Sequence, residues 1–250
     1  MKISVITAVY NREDTIARSI KSIKGQNYNN IELIIVDGES NDQTLTILKN
    51  LLDKNDTLIS EKDKGIYDAL NKGIKISTGD IICFLHSDDF FDNNDVLMKI
   101  YNLFSLNNVD IIYGNSNFFL KDSVDKIIRN YISVDLTQLN LSNGLMPSHP
   151  AMFIKKTIYN KHGLFNINYR IAGDFEWLCR ISKDKSIRLL KVNDNFVKMQ
   201  YGGASTNGFK SIYLLNKEVR CALKHNNIKS SYAKLVMKYF KKFSEFKFIS

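Results

Sequence analysis

Apolar runs typical of buried strands alternate with helical patterns over roughly the first 100 residues. Within the runs apolar residues are nearly continuous, as in strands covered on both faces of a sheet. Between them, apolar residues recur at helical spacing. Four strand–helix units in succession predict an α/β fold with a mainly parallel, doubly wound sheet and flanking helices. The predicted strands are Ile3–Val9 and residues 31–36, 58–59 and 81–85; the predicted helices are residues 14–24, a segment with Leu45, Leu48 and Leu52, and residues 65–77.

The pattern changes in the second half of the chain. Three short segments alternate between apolar and polar positions, so a mixed and partly antiparallel region is expected there. Trp177, Leu178 and Ile181 then form an apolar stripe at helical spacing. A helix is predicted at residues 92–104, and strands at residues 109–113, 117–120 and 126–132.

Two adjacent carboxylates, Asp88 and Asp89, follow the fourth predicted strand in the segment IICFLHSDDFFDNND. Open α/β sheets bind ligands at the carboxyl ends of their strands. Repulsion between the two carboxylates must be offset by a cation, a hydrogen-bonded sugar or solvent. The alternative is that the pair caps the next helix, although Asp92 and Asn93 can do so themselves. We interpret the pair as part of a site for a metal and a nucleotide-sugar.

The first strand–helix turn contains no glycine. It reads TAVYNRED, so neither G-x-G-x-x-G nor the G-x-x-x-x-G-K-[ST] loop is present. Backbone amides alone are therefore not expected to hold a diphosphate at this turn. A bound nucleotide diphosphate would need a divalent cation, and the oxygen ligands of Asp88 and Asp89 favour Mn²⁺ or Mg²⁺ over zinc.

Five short segments occur in this order along the chain: TAVYN, IIVDGESND, DKGIYDALNKGI, TGDIICFLHSDD and GDFEW. Their order and spacing resemble those of the family 2 glycosyltransferases of the GT-A fold, in particular the bacterial O-antigen and capsule branch. The resemblance covers roughly residues 3–206. It implies a GT-A catalytic domain at residues 1–208, with a Rossmann-like nucleotide-sugar-binding half at 1–106 and an acceptor half at 107–208. It also implies a UDP-sugar donor and inversion at the anomeric carbon.

The resemblance assigns candidate donor contacts. Asp37 would accept a hydrogen bond from the uracil ring N–H, because a carboxylate is a fixed acceptor; the alternative is that Asp37 caps its own turn. Lys64 would add charge near the phosphates, although an exposed loop lysine is an equal alternative. Tyr67 and Asn71, one helical turn apart, would form one wall of the pocket. The residues expected to line the nucleobase are Thr7, Ala8 and Tyr10.

For the acidic pair, the resemblance implies that Asp88 contacts the ribose or sugar and that Asp89 is the metal ligand. The sequence departs from the family at His86, where many relatives have a further aspartate. A neutral imidazole there removes one negative charge and could hydrogen-bond the donor. The alternative is a histidine that only packs at the end of the strand.

In the acceptor half, Asp174 matches the general base of the family, which takes a proton from the acceptor hydroxyl. Relatives usually have Glu-Asp here, whereas this chain has Gly173 and Asp174. His149, in SHPAMF, is a candidate acceptor or leaving-group contact, with a structural role as the alternative. Trp177 could stack on an acceptor sugar or belong to the core. The segment KMQYGGASTNG is expected to be a lid, and it lacks the metal-binding His found in some relatives.

The charge of the chain is concentrated at its end. The net charge is +9, of which the residues from Tyr201 onward contribute +8 through ten Lys and Arg against two Glu. This asymmetry argues against a nucleic-acid partner and favours an anionic membrane surface. The three cysteines, Cys83, Cys179 and Cys221, suggest neither a disulfide framework nor a zinc site. Without a signal-peptide core or an 18-residue apolar run, a cytoplasmic location is expected.

The tail at residues 209–250 is expected to be helical, basic and amphipathic. In a helix over residues 231–246, one face would carry the apolar and aromatic side chains of Tyr232, Leu235, Val236, Tyr239, Phe240, Phe243 and Phe246. The other face would carry Lys234, Lys238, Lys241 and Lys242. This pattern is typical of an interfacial helix on an anionic leaflet. The alternative is a helix docked on the catalytic body through the same aromatic face.

We therefore expect a metal-dependent inverting glycosyltransferase, peripheral on the inner face of the bacterial plasma membrane. It would move Glc or Gal from a UDP-sugar to a polyprenyl-diphosphate-linked saccharide carrying GlcNAc or GalNAc, in a β-linkage. Two alternatives remain open. A nucleotidylyltransferase should have a glycine-rich first turn, and a non-catalytic sugar-nucleotide binding module should lack Asp174.

Overall fold

A computed structural model describes residues 1–202 and 208–245. The strands are β1 (Ile3–Val9), β2 (Ile31–Asp37), β3 (Thr57–Ser60), β4 (Ile81–Phe84), β5 (Phe90–Phe91), β6 (Ile111–Leu120), β7 (Ser123–Tyr131), β8 (Met152–Lys155) and β9 (Leu189–Gln200). The helices are α1 (Ile16–Lys24), α2 (Thr44–Leu51), α3 (Ile66–Ile76), α4 (Val96–Leu106), α5 (Gln138–Ser142), α6 (Lys156–His162), α7 (Gly173–Ile181), α8 (Gly208–His225) and α9 (Tyr232–Ser244). A short 3-10 helix covers His149–Ala151.

The strands form one mixed sheet. Its order is β3-β2-β1-β4-β8-β6-β9-β5, with β7 paired to β6. The first four strands are parallel, β8 is antiparallel to both of its neighbours, and β6 is parallel to β9. The predicted α/β fold with a mainly parallel central sheet and a mixed second half is confirmed. The carboxyl ends of β1 and β4 lie side by side, which brings Tyr10 and the HSDD segment to one edge.

Each face of the sheet buries its own apolar core. Along β1, Ile6 points to the core under α3 and α7, while Val5 points to the core under α1 and α4. Helix α3 packs closely against the sheet because it carries Gly73 there. A Cβ at Gly73 would lie 2.4 Å from Ile6 Cγ2. This close packing fixes the position of α3, which carries Tyr67.

Three features between residues 92 and 200 differ from what the sequence predicted. The strands predicted at residues 109–113 and 117–120 are one strand, β6, because Gly114 lets the chain continue beside β9: a Cβ there would lie 2.6 Å from Asp194 O and from the Phe196 ring. Strand β9 was not predicted. Helix α4 begins at Val96 rather than residue 92, because Asn93 Oδ1 accepts the Asp95 amide in a turn.

The tail packs on the body through α8 and α9. Leu235 is buried in the core under α7, together with Val219 and Leu223 of α8. Lys238, assigned to the solvent face from the sequence, is buried beside Leu235, because both side chains approach Gly144. Val236, assigned to the same face as Leu235, is 53% exposed. The predicted division of the two faces is therefore wrong at these positions, although Phe246 lies outside the described residues.

No helix within residues 1–202 and 208–245 is long and apolar enough to cross a bilayer. The expected lid falls partly in residues 203–207, outside the described part of the chain; its beginning, Lys198–Gln200, is the end of β9. The division into a catalytic domain ending at residue 208 and a basic tail stays a prediction.

Candidate active site

A cavity of about 710 Å³ opens at the carboxyl ends of β1 and β4. This edge of an open α/β sheet is the usual place for a ligand. Both halves of the chain contribute to the wall. Of the predicted site residues, the structure brings together Ala8, Tyr10, Tyr67, His86, Asp88, Asp89, His149 and Asp174 around the cavity, whereas Thr7, Asp37, Lys64, Asn71 and Trp177 do not line it.

The segment after β1 forms the floor and rim of the cavity. Ala8 lines the cavity, and the Tyr10 side chain is 55% exposed, so its ring is open to a planar ligand. Thr7 is fully buried beneath them, and its Oγ1 has no hydrogen-bond partner among the described residues. Asp63, which the sequence analysis did not single out, lines the same rim.

Asp37 is fully buried at the end of β2. Its Oδ2 accepts hydrogen bonds from the amides of Glu39 and Ser40, at 3.1 and 3.0 Å, and from Ser60 Oγ at 2.7 Å. Its Oδ1 accepts a hydrogen bond from Ser40 Oγ. These bonds match the turn-capping alternative. A contact with uracil stays a prediction and would require this turn to open.

Helix α3 presents only part of its predicted wall. Tyr67 lines the cavity, but Asn71, one turn later, exchanges two 2.9 Å hydrogen bonds with the backbone of Phe165 and supports the wall from behind. Lys64 is exposed, and its backbone amide donates to Asp68 Oδ2. The predicted wall therefore holds for Tyr67 but not for Asn71, because the amide of Asn71 is already engaged.

The acidic pair occupies two environments. Asp89 is 3% exposed, and its Oδ1 accepts the amide of Gln200 at 3.1 Å. Burial and the charge of Asp88 raise the pKa of Asp89 well above its usual range. Asp88 is only half-buried and lines the cavity. Asp89 is therefore a buried carboxylate that a cation would stabilise, whereas Asp88 is positioned to contact a ligand directly.

Arg18, which the sequence analysis missed, lies behind this pair. Its Nη2 donates to Asp88 O at 3.0 Å and to Gln200 Oε1 at 3.2 Å. Its guanidinium also lies over the rings of Phe90 and Phe119. Burial lowers the pKa of Arg18, while the carboxylates of Asp89 and Asp88 oppose that shift. In the sequence, Arg18 is a charged residue between the buried Ile16 and Ile20 of a helix, and that pattern does not distinguish Arg18 from a surface residue.

The acidic pair fits a divalent cation shared with a diphosphate. Asp89 Oδ2 has no hydrogen-bond partner within the described part of the chain, and Asp88 is beside it at the cavity wall. Among those residues there is no group of three or more His, Cys, Asp or Glu that could hold a metal ion. Mn²⁺ and Mg²⁺ are commonly held by one or two carboxylates plus substrate oxygens and water. The protein alone would supply an incomplete shell.

Two histidine rings form another part of the wall. His149 stacks on Phe84 with ring centroids 5.1 Å apart, and its centroid is 6.5 Å from that of His86. Burial and the neighbouring His86 lower the pKa of His149 to about 3, and burial also lowers the pKa of His86. Neither His149 Nε2 nor His86 Nδ1 has a hydrogen-bond partner among the described residues. These two nitrogens are themselves buried, although both rings form part of the cavity wall.

Asp174, in the first turn of α7, is held through one carboxylate oxygen. Its Oδ1 accepts a hydrogen bond from Tyr67 Oη at 3.1 Å and one from the Phe175 amide at 2.8 Å. Its Oδ2 has no hydrogen-bond partner within the described residues and is available to the cavity. Burial raises the pKa of Asp174 to about 6, although these hydrogen bonds oppose the shift. The carboxylate can therefore accept a proton near neutral pH.

A close contact accounts for glycine at residue 173, where the resemblance implies a glutamate. The first residue of α7 lies directly against the Tyr67 ring, and a Cβ there would be 2.8 Å from two ring carbons. A glutamate would displace the ring whose hydroxyl holds Asp174. Trp177, by contrast, is fully buried, stacks on Tyr159 at 4.5 Å and donates to Gly163 O at 2.8 Å. Its role is in the core, so the expected acceptor contact is wrong.

The loop before α7 is held by a residue of the tail. Glu218, buried on α8, accepts hydrogen bonds from the amides of Arg170, Ile171 and Ala172 at 2.8–2.9 Å. The single hydroxyl proton of Tyr67 is shared between Ile171 O, at 2.7 Å, and Asp174 Oδ1, at 3.1 Å. Nothing in the local pattern identified Glu218, since the contact spans more than 40 residues along the chain. Asp174, Tyr67 and Glu218 thus form one connected network.

The sequence comparisons agree on one protein family. The model of glycosyl transferase family 2 matches residues 4–169. The UDP-Glc:alpha-D-GlcNAc-diphosphoundecaprenol beta-1,3-glucosyltransferase WfaP of Escherichia coli is 28% identical over 84% of this chain and 82% of its own length. An uncharacterized glycosyltransferase of Haemophilus influenzae is 30% identical over 84% of each chain.

Solved structures share the fold at low sequence identity. TarS 1–349 of S. aureus in complex with UDP-GlcNAc has a TM-score of 0.69 at 19% identity, covering 98% of this chain and 73% of that one. The mannosyltransferase PcManGT of Pyrobaculum calidifontis, in complex with GDP-Man and Mn²⁺, has a TM-score of 0.61 at 16% identity, covering 96% of this chain and 79% of that one.

Proposed function

The chain belongs to glycosyl transferase family 2, and from that premise we propose that it is an inverting enzyme that takes its sugar from a UDP-sugar. The sugar is Glc or Gal, and the acceptor is a polyprenyl-diphosphate-linked saccharide carrying GlcNAc or GalNAc. The activity of WfaP, a beta-1,3-glucosyltransferase with a diphosphoundecaprenol-linked GlcNAc acceptor, supports the lipid-linked acceptor and the β-linkage. The UDP-GlcNAc complex of TarS supports a UDP-sugar.

The observation that carries this proposal is Asp174. Its Oδ1 is fixed by Tyr67 and by the Phe175 amide, and its Oδ2 remains for a substrate in the cavity that also holds Asp88 and Asp89. The acceptor hydroxyl oxygen forms a bond to the anomeric carbon while the bond from that carbon to the phosphate oxygen breaks. The electron pair leaves with UDP, and Oδ2 takes the hydroxyl proton. Attack opposite the leaving group inverts the anomeric carbon.

Asp89 and Asp88 divide the remaining roles. Asp89 would hold Mn²⁺ or Mg²⁺, and such a cation would neutralise charge on the departing diphosphate. The half-buried Asp88 contacts the ribose or sugar, Tyr10 stacks with the nucleobase, and the His149 ring contacts the acceptor or the leaving group. PcManGT, a neighbour in fold, was solved with Mn²⁺.

The two alternative functions are less well supported. A nucleotidylyltransferase would need the glycine-rich first turn that TAVYNRED lacks. A binding module without activity would have no use for a carboxylate with one oxygen fixed and a pKa raised to about 6. Both features favour a transferase.

The proposed location is the inner face of the plasma membrane, where a lipid-linked acceptor would be reached. Exposed basic residues on the tail provide a surface for anionic lipid at about 1 kcal/mol each: Lys210, Lys217, Arg220, Lys224, Lys229 and Lys234.

Because Leu235 is part of the core, a truncation after Lys229 would test folding rather than membrane binding. Replacing Lys217, Lys224 and Lys229 with Gln tests binding to anionic vesicles, with neutral vesicles as the control. Equal binding of the variant would contradict the proposed surface.

The test of the reaction is Asp174→Asn. The amide keeps the shape of the side chain but cannot take the proton, so kcat should fall about 10²- to 10⁴-fold while UDP binding, measured by calorimetry, is unchanged. The assay pairs UDP-Glc and UDP-Gal with an alkyl-diphosphate GlcNAc, and NMR reports the linkage. Asp184→Asn, at a partly buried carboxylate that pairs with Lys161 and does not line the cavity, is the matched control. A turnover of Asp174→Asn near that of the unmodified enzyme would place the base elsewhere.

A further inference from the structure

Helix α1 holds the turn that carries the acidic pair. We call residues 86–89 the acidic turn. Two side chains of α1 donate hydrogen bonds to its carbonyl oxygens: Ser19 Oγ to His86 O at 3.2 Å, and Arg18 Nη2 to Asp88 O at 3.0 Å. The position of the acidic turn therefore depends on side chains of α1 as well as on the end of β4.

Arg18 also reaches the end of β9. The same Nη2 donates to Gln200 Oε1 at 3.2 Å, and the amide of Gln200 donates to Asp89 Oδ1 at 3.1 Å. Because Asp88 and Asp89 are adjacent in the chain, these contacts close a ring through Arg18, the acidic turn and Gln200. Arg18 therefore connects the acidic turn to the residue whose amide holds the buried carboxylate of Asp89.

Two aromatic rings hold the guanidinium of Arg18. Its Cζ lies 5.1 Å from the ring centroid of Phe90 and 4.8 Å from that of Phe119. Phe90 directly follows the acidic turn, and Phe119 pairs with Gln200 in the register of β6 and β9. A planar guanidinium can pack on aromatic rings while its N–H groups donate in fixed directions, whereas the ammonium of a lysine is a compact point charge. These surroundings therefore suit arginine and not lysine.

The hydrogen bonds of Arg18 do not occupy the two carboxylates. Its Nη2 donates to the backbone oxygen of Asp88 and to the neutral amide of Gln200, while Asp88 and Asp89 line the cavity. Arg18 is not among the described residues that line the cavity. It can therefore act on a ligand only through the residues that it holds.

We propose that Arg18 is a positioning residue for the UDP-sugar site: it holds Asp88 and Asp89 in the arrangement that binds a divalent cation together with the diphosphate. The inference rests on the proposed function and adds to it a residue that does not touch the substrate. Residues that orient metal ligands from behind typically contribute about 10- to 100-fold to metal affinity. An effect of that size is expected from Arg18.

Calorimetry of UDP in Mn²⁺ and in EDTA tests this role without turnover. The measured quantity is the metal-dependent gain, which is the Kd for UDP in EDTA divided by the Kd in Mn²⁺. Arg18→Lys keeps the positive charge but loses the planar group on the two rings, so the gain should fall about tenfold or more. The KM for the UDP-sugar should rise by about the same factor, while the KM for the acceptor stays within about twofold.

Two further variants separate position from charge. Arg18→Gln and Lys21→Gln each remove one positive charge from α1, but Lys21 is exposed. The gain should fall in Arg18→Gln and stay within about twofold in Lys21→Gln, the matched control. A full gain in Arg18→Lys with a loss in Arg18→Gln would mean that only the charge acts, and it would overturn the positioning role. Equal losses of UDP affinity in Mn²⁺ and in EDTA would assign Arg18 a purely structural role.

Gln200→Ala approaches the same ring from β9 and serves if the Arg18 variants do not fold. It removes the side-chain oxygen that accepts from Arg18 but keeps the amide that donates to Asp89. The metal-dependent gain should fall, and its combination with Arg18→Lys should lose less than the two single effects together, because both changes open one ring. An unchanged gain in Gln200→Ala, or strict additivity, would contradict the connection through Gln200.

The same measurements distinguish this inference from the proposed reaction. If the unmodified enzyme transfers no sugar from any UDP-sugar while the metal-dependent gain still depends on Arg18, the proposed reaction fails and the positioning role stands. Equal affinity of the unmodified enzyme for UDP in Mn²⁺ and in EDTA would overturn the positioning role, whatever the enzyme transfers.

Discussion

The two halves of the cavity wall are built in different ways. The half from residues 1–106 takes Ala8, Tyr10, Asp88 and Asp89 from the carboxyl ends of β1 and β4, which are parallel neighbours in the sheet. The half from the rest of the chain takes Asp174, Arg129 and Lys238 from a helix, an antiparallel strand and the tail. The arrangement of these three side chains depends on contacts between segments that are distant along the chain. The first half therefore follows from the order of the strand–helix units at the start of the chain, whereas the second depends on how segments from the rest of the chain pack together.

Asp89→Ala should have the largest effect among the tests of this comparison. Loss of the proposed metal ligand should lower metal-stimulated transfer about a hundredfold or more, because a bound cation stabilises the departing diphosphate by several kcal/mol. Rates with and without Mn²⁺ or Mg²⁺ measure the effect. Asp95→Ala, at the N-cap of α4, is the control. Full activity of the unmodified enzyme in EDTA would remove the metal from the reaction.

Gly173→Ala tests the contact that joins the two halves. The new Cβ would meet the Tyr67 ring at 2.8 Å, and overpacking of this kind costs about 1–3 kcal/mol. Urea denaturation should show that loss in the free energy of unfolding. In a double-mutant cycle with Tyr67→Leu, the loss should shrink, because the smaller side chain leaves room. Strict additivity would show that the Tyr67 ring is not the reason for glycine at residue 173.

The pH dependence of kcat/KM should distinguish the effects of Tyr67 and Glu218 on Asp174. Its pKa of about 6 predicts that kcat/KM rises with pH through about 6 and then levels, because only the ionised carboxylate takes a proton. Tyr67→Phe removes a hydrogen bond that lowers this pKa, so the acid limb should move to higher pH. Glu218→Gln removes a negative charge that raises it, so the limb should move to lower pH.

Each shift should be about 0.4–1 pH unit, the equivalent of one hydrogen bond. Lys217→Gln, beside Glu218 on the exposed face of α8, is the matched control and should leave the profile unchanged. Shifts in the same direction for Tyr67→Phe and Glu218→Gln would mean that the acid limb reports another group. A lower rate with an unshifted profile for Glu218→Gln would mean that Glu218 supports only the loop.

The sequence by itself determined the first half of the protein. Continuous apolar runs and helical spacing located β1–β4 and α1–α3, because each is decided by residues close along the chain. The same pattern located the acidic pair at the end of β4, and the resemblance identified Asp174. The role of Asp89 as a metal ligand and that of Asp174 as a base stay predictions.

Only the tertiary structure decided what lies behind and opposite those residues. Trp177 and Asn71 were expected in the pocket, yet their hydrogen bonds go to Gly163 and Phe165, segments that the chain brings in from elsewhere. Lys238 was expected to face solvent, because helical spacing gives the faces of α9 but not which face docks. Periodicity records which side of an element is apolar; the contact partner of a polar side chain depends on long-range packing that no local pattern contains.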